Sequence, residues 1–297
     1  MIPKPAYSII IALIFTLLTF SNTHAISIQV QPNEVVPGDV FLLKILGNID
    51  PDTQAEFMDH KFALYPVAED LFIALLPVDI NTDPDKYNIS VLHGEVKYHA
   101  KLHVKAHEFK TIRLVLPEEK VTLSPKNQER AVREASLLKK IWMQNTEKIW
   151  NQNFITPTDT ELSEVFGVKR IMNEKKTSIH RGVDYRGKKG TPVRAINAGT
   201  VALNDDLFFG GNTLVVDHGM GLYSIYMHLS KFNVSAGDKV DKGKVVGFIG
   251  SSGRSTGPHL HMSVKLGGVS VNPESFFKLE LQATQGQSSR GTKVQRN

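Results

Sequence analysis

The chain of 297 residues reads as mostly β: a small antiparallel β-sandwich on the N-terminal side, a connecting α-helix, and a C-terminal antiparallel β domain. Three observations predict this. Short apolar runs punctuated by turn residues recur through 26–107 and again through 156–279. Between them, one stretch carries apolar residues at helical rather than alternating spacing. The total length exceeds what one small core organises, so two domains with extra segments are expected.

The elements follow in order. Residues 1–25 pair Lys4 with the apolar run Ile9–Phe20 and end on Thr23-His24-Ala25. That run is a dozen residues long, short of the roughly 20 needed to span a bilayer, so it reads as a cleaved signal peptide. Within 26–107, the segments ISIQV, VFLLKIL, FIALLPV, YNISVL and YHAKLHVK are rich in β-branched and aromatic residues, with turns at Pro37-Gly38-Asp39 and Asp83-Pro84-Asp85. In the last strand, Tyr98, Ala100, Leu102, Val104 and Ala106 face one way, and His99, Lys101, His103, Lys105 and His107 the other. Histidines four apart on a strand lie about 13 Å apart and cannot share one ion. They read as a solvated face.

Residues 108–155 read as a linker. Ser124-Pro125 is a helix start, an N-cap serine followed by proline in the first turn. Ala131, Ala135, Leu138, Trp142 and Ile149 then recur on one face, predicting a helix over about 125–150 that docks its stripe on a neighbouring domain. From 156 to 279, glycines separate short strand-like runs (TPVRAI, GTVAL, GNTLVVDHG, GLYSIYMHL, KGKVVGFIG, PHLHMSVKL). Residues 280–297 are polar and read as a disordered tail.

Composition excludes some chemistry. There is no cysteine, hence no disulfide and no thiolate ligand; a tightly held metal must use histidine and carboxylate. The net charge of +5 is mild and suits a polyanionic surface. No basic run with interleaved aromatics is present, so nucleic acid is not an expected partner.

Five of the 11 histidines fall in the C-terminal domain: His180, His218, His228, His259 and His261. His180 and Asp184 form an H-x-x-x-D pair, both good zinc ligands. Alone, Asp184 reads equally as a turn acceptor. His259 and His261 flank Leu260 at the start of an apolar run, so both imidazoles share a face about 7 Å apart, with Leu260 and Met262 on the core side. The glycine-rich Gly250–Gly257 segment before them reads as a loop beside a cleft. His228 ends another apolar run and by itself reads as structural; Tyr226, two residues earlier, shares its face on a regular strand and reads first as a packing residue.

Taken together, HRGVD, YMHLS and STGPHLH, in that order and separated by GTPVRAINAGTV, GNTLVVDHG and VSAGDKVDKGKVVGFIG, resemble the lysostaphin/LytM-type family of zinc metallopeptidases that cleave peptidoglycan peptides. The resemblance spans about residues 165–275. It implies the duplicated hybrid motif fold, a compact antiparallel β domain with one zinc ion per chain in a groove on the sheet. His180, Asp184 and His261 match the family's metal ligands; His228 and His259 match its two catalytic histidines, and His218 falls in the framework. With three protein ligands, zinc keeps an open position for water. His259 is a candidate base and His228 a candidate oxyanion donor, and the sequence leaves the two interchangeable.

The expected function is therefore hydrolysis of peptide cross-links or bridges of peptidoglycan by an exported metalloendopeptidase of the periplasm or cell envelope, or a secreted one. The expected partner is peptidoglycan, with no stable membrane insertion after signal cleavage. The resemblance leaves the bond open between glycyl-glycine bridges and D-alanyl cross-links to a diamino acid. The N-terminal domain either holds the enzyme at the wall or covers the groove until a protein regulator or a protease frees it. The competing expectations are a non-catalytic LytM-like activator of a cell-wall amidase, against which the complete set of five residues speaks, and a wall-binding adhesion protein.

Overall fold

The computed structural model describes residues 26–115, 117–144, 146–150 and 152–281. The signal-peptide expectation for 1–25 and most of the tail at 280–297 lie outside the described residues. The architecture is mostly β, as expected, with antiparallel sheets in both halves.

The N-terminal half is a two-sheet sandwich. One sheet orders the strands Ser27–Gln31, Val40–Leu46, Leu71–Pro77 and Tyr65–Ala68. The other orders Glu34–Val35, Val96–Val104, Asp85–His93, Gln54–Phe57 and His60–Ala63, where the two-residue Glu34–Val35 pairs parallel and the rest antiparallel. Phe41, Leu43 and Ile45 alternate inward against Ile89, Val91, Leu102 and Val104. Their neighbours Val40 and Leu42 are equally buried, but in a different core, together with Ile73, Leu75 and residues of the C-terminal domain. The strand VFLLKIL is a continuous apolar run because both of its faces are covered, as in the middle layer of a three-layer stack. His99 is exposed and His103 pairs with Glu34 at 3.3 Å, the solvated face that the alternation predicts.

The junction is tight. Asn272 donates its backbone N–H to Gly38 O at 2.7 Å and its side-chain amide to Asp39 at 3.3 Å. Gly38 has φ of +94°, and a Cβ there would meet the Phe166 ring at 2.4 Å, so only glycine lets the two domains close. An aromatic chain, Tyr65–Trp150–Phe154–Phe276, crosses the boundary with ring centroids 6.1, 5.5 and 4.6 Å apart.

The connector differs from its sequence reading in two places. The helix spans Pro125–Trp142, with the Ser124 hydroxyl accepting from Asn127 N, and ends eight residues before Trp150. Leu138, Ile141 and Trp142 dock on Val215, Tyr223 and Ile225, and Tyr223 donates its hydroxyl proton to Ile141 O at 2.8 Å. Beyond Met143 the backbone exchanges helical bonds for a ladder along the 218–220 turn: Met220 N to Thr146 O, and Ile149 N to His218 O. Ile149, periodic with the stripe by coincidence, is exposed, and Trp150 is buried. The second difference is the strand Thr111–Leu114, which lies parallel to Lys169–Met172, itself paired with Lys176–Ile179.

The C-terminal half is one ten-stranded sheet system. Its main path orders Leu162–Glu164, Val183–Arg186, His259–Leu266, Leu222–Phe232, Gly211–Gly219, Gly199–Leu207 and Lys239–Val240. Packing continues through Leu279 and Leu281, both buried, slightly past the expected domain edge at 279.

His218 is buried beneath this sheet between Ala198 O (2.7 Å) and Ser224 Oγ (2.8 Å), with no exposed surface. Burial pushes its pKa down to about 4, against an ordinary 6.5, despite the Ala198 carbonyl. Between those values the unfolded chain binds the proton and the folded chain does not. The residue's contribution is thus complete above pH 6.5 and drains as pH falls toward 4, by about 3 kcal/mol in all. Urea midpoints from pH 7.5 to 4.5 should fall more steeply for wild type than for His218→Gln; parallel curves would refute this.

Candidate metal centre

Asp184 and His261 are cross-strand partners of Val183–Arg186 and His259–Leu266. The pleat turns Leu260 and Met262 into the core, with no exposure, and sends His259 and His261 to the opposite face. His180 follows the strand Lys176–Ile179 and is fixed by main-chain bonds, His180 N to Val168 O and Gly167 N to His180 O. Gly182 lies between the two: a Cβ there would stand 2.4 Å from Met262 O and 2.7 Å from His261 Nε2, so the glycine of HRGVD is what lets the turn lie against the site.

Three donor atoms converge. His180 Nε2 lies 3.0 Å from Asp184 Oδ1 and 3.0 Å from His261 Nδ1, and His261 Nδ1 is 2.8 Å from Asp184 Oδ1. Among the described residues this is the one group of histidines and carboxylates so arranged. Each imidazole is oriented by its other nitrogen: His180 Nδ1 donates to Val165 O at 2.8 Å, and His261 Nε2 faces Ser263 Oγ at 2.9 Å. Burial would raise the Asp184 pKa, but hydrogen bonds and charge from His180 and His261 outweigh it and hold the carboxyl well below the usual range. Burial lowers the pKa of His261, with Asp184 opposing; at His180 the Asp184 carboxylate overcomes burial and raises it. An ionised carboxylate and two imidazole nitrogens within 3.0 Å of one another fit a small divalent cation, zinc foremost by donor type.

His228 and His259 stand beside this cluster, their rings 4.7 Å apart, and the His228 ring is 6.2 Å from that of His261. His228 Nδ1 donates to Ser252 O at 2.8 Å and His259 Nδ1 to Gly257 O at 2.9 Å, so the glycine-rich loop aims both rings. His259 Nε2 is 3.9 Å from Asp184 Oδ2. Burial pushes the His228 pKa down to about 4. The structure separates His228 from Tyr226, which a regular strand would keep on one face. Leu214 pairs with Tyr226 and Asn212 with Leu229, so two residues oppose one, and His228 takes φ of +63°. This bulge turns His228 toward the cluster, while Tyr226 stays buried, its hydroxyl accepting from Ile196 N and Ser224 Oγ at 3.0 Å.

A cleft of about 380 Å³ opens over Asp184 and His259, lined also by Ser163, Glu164, Arg170 and Arg186. Glu164 pairs with Arg170 and lies 3.5 Å from His180 Nδ1. Sequence reading missed these flanking residues. Arg186 alone carried a usable signal, two positions from Asp184 on one strand face.

The family model described as Peptidase family M23 matches residues 178–273, the segment that holds all five residues. Residues 178–273 are a peptidase family M23 domain. Over 116 residues the chain is 40% identical to the DD-carboxypeptidase/endopeptidase Mpg of Neisseria meningitidis, covering 39% of this chain and 27% of that protein. It is 42% identical over 105 residues to the glycyl-glycine endopeptidase ALE-1 of Staphylococcus capitis, covering 33% and 29%. The chain thus spans less than a third of the length of these curated relatives. A solved structure of a peptidase M23 from Pseudomonas aeruginosa superposes with a TM-score of 0.64 at 29% identity, over 82% of this chain and 94% of that one. That coverage extends well beyond the M23 domain into the N-terminal half.

Proposed function

We propose that the chain is a zinc-dependent endopeptidase that hydrolyses peptide cross-links or bridges of bacterial peptidoglycan. The observation that carries this is the convergence of His180 Nε2, Asp184 Oδ1 and His261 Nδ1 within 3.0 Å, with two further oriented imidazoles beside the cluster. The relatives' names supply the substrate class.

His180, Asp184 and His261 would hold the ion. When bound, it would polarise the scissile carbonyl and make a water more acidic. His228 and His259 do the proton work. Both keep Nε2 for the reaction because both Nδ1 protons are held by carbonyls. Their surroundings differ: burial favours the neutral imidazole at His228, suited to take the water proton, whereas His259 stands 3.9 Å from the Asp184 carboxylate at the mouth of the cleft, placed to donate to the developing oxyanion. This reading gives the pair an order that the sequence left open.

The cleft is lined by residues of 163–259 and by none of the sandwich, which docks on Trp150, on Phe166 and near 272–275. The proposal therefore gives the sandwich a holding role at the wall, not that of a cover on the groove. An exported location in the periplasm or cell envelope belongs to the same reading. The amidase-activator alternative needs no metal and no oriented histidines, and nothing in the site favours it.

The test is digestion of purified sacculi by the full chain, with and without a chelator, reading released fragments by mass. Loss of cross-linked dimers in the untreated sample, abolished by chelation and restored by zinc, is expected. Intact sacculi with the protein folded and metal-loaded would overturn the reading.

A further inference from the structure

The M23 cleft carries one cation, Arg186, that no acid among the described residues pairs with. Arg186 ends the strand Val183–Arg186, two residues from Asp184 and therefore on the same strand face. Both line the cleft. Its cross-strand partner is His259, so the two side chains leave the sheet about 5 Å apart. The Arg186 backbone is fixed by a bond from its N–H to Glu161 O at 2.8 Å, and its neighbour Tyr185 is buried and donates its hydroxyl proton to Glu274 at 3.0 Å. The base of the side chain is held firmly; the guanidinium is exposed and has no hydrogen bond or ion pair among the described residues.

The other charges of the cleft are engaged. Arg170 is paired with Glu164, and Asp184 with His180 and His261. No acid in the cleft is left to answer Arg186, and exposed Lys188 and Lys189 follow it in sequence with the same sign. A solvated arginine elsewhere on the surface would mean little. One placed opposite His259, at the rim of a cleft whose acids are all engaged, selects for a ligand group of opposite charge. The planar guanidinium takes a carboxylate through two parallel hydrogen bonds, which fixes orientation as well as charge.

We infer that Arg186 is a specificity-determining residue that binds a free carboxylate on the peptide beside the scissile bond, so that the preferred substrates are acid-bearing cross-links and not neutral glycine bridges. The inference rests on the peptidase reading above and names the substrate class for the same site.

The test uses the full chain loaded with zinc and three synthetic peptides: one with a free carboxylate on the residue flanking the scissile bond, the same peptide with that group as carboxamide, and a glycine-only bridge. Wild type should favour the carboxylate over the carboxamide by roughly 10- to 100-fold in kcat/KM, the range for a charge-assisted hydrogen bond. Arg186→Gln should bring that ratio close to one, chiefly by slowing the carboxylate peptide, and Arg186→Lys should restore part of the ratio. Unchanged thermal midpoints would show that both variants fold. A ratio that survives Arg186→Gln, or wild type cutting all three peptides equally, would overturn the inference and leave the peptidase reading standing. Hydrolysis of none of the three would sink both.

Discussion

Asp184→Ala should purify folded, without stoichiometric zinc, and at least about a thousandfold slower on peptidoglycan, an increase of about 4 kcal/mol in the barrier. Asp184 is the single carboxylate among the three converging donors, and its Oδ1 lies 2.8 Å from His261 Nδ1 and 3.0 Å from His180 Nε2. Removing it leaves two neutral imidazoles, which neither balance the charge of a divalent ion nor complete three protein ligands. It also removes the group 3.9 Å from His259, so proton transfer suffers together with metal binding. Folding should survive, because the side chain satisfies its immediate neighbours in the site and lies outside the apolar core. Metal content by atomic absorption, far-UV circular dichroism and dye release from labelled sacculi read the three quantities separately. Asp159→Ala, which removes an 82% exposed partner of Arg194, is the control and should change none of them. Full zinc occupancy with undiminished turnover in Asp184→Ala would remove the basis of the metal assignment.

Trp150→Ala should cost about 3–5 kcal/mol of stability, the range for deleting a large buried aromatic. Trp150 is 2% exposed and stands at the centre of the aromatic chain that joins Tyr65 of the sandwich to Phe154 and Phe276 of the C-terminal half. Lys148 covers its outer ring face at 4.6 Å. The cavity would open at the domain junction, where rigid strands on both sides resist collapse. The expected signature is a lower urea midpoint and a shallower, less cooperative transition, since the two halves lose the element that couples them. A drop below about 1 kcal/mol would mean that the site closes up on itself and that the junction is held by other contacts.

The sequence signal was strongest where spacing and chemistry coincide. His259 and His261 flank Leu260 on an alternating strand, and that alone set their shared face. VFLLKIL announced a strand by its β-branched, aromatic and apolar run. That its second face closes on another domain is a fact of tertiary packing, and apolar runs look the same whatever covers them. The turn of His228 toward the metal cluster depends on a bulge, and a bulge adds one residue without any distinctive residue type. The helix overran because Ile149 falls one heptad after Trp142, while the ladder that ends the helix is made with the 218–220 turn, some 70 residues away in sequence. Thr111–Leu114 was invisible for a related reason: four residues of TIRL carry too little pattern, and their partner at Lys169–Met172 supplies the order. The cleft-lining Glu164 and Arg170 belong to separate strands, and nothing local marks them as neighbours.

That short parallel strand has a practical consequence. A fragment cut at residue 156 would strip the edge of Lys169–Met172, whose hairpin partner Lys176–Ile179 runs directly into His180. One cut at residue 108 would keep it. Two nicks a few turns of chain apart, one before Thr111 and one after Leu114, therefore leave products of different competence: the first sheds the sandwich and keeps the braced hairpin, and the second unbraces a metal-site element. A pull on the sandwich likewise reaches the hairpin next to His180 after very little slack, which makes the tether a mechanical part of the catalytic half.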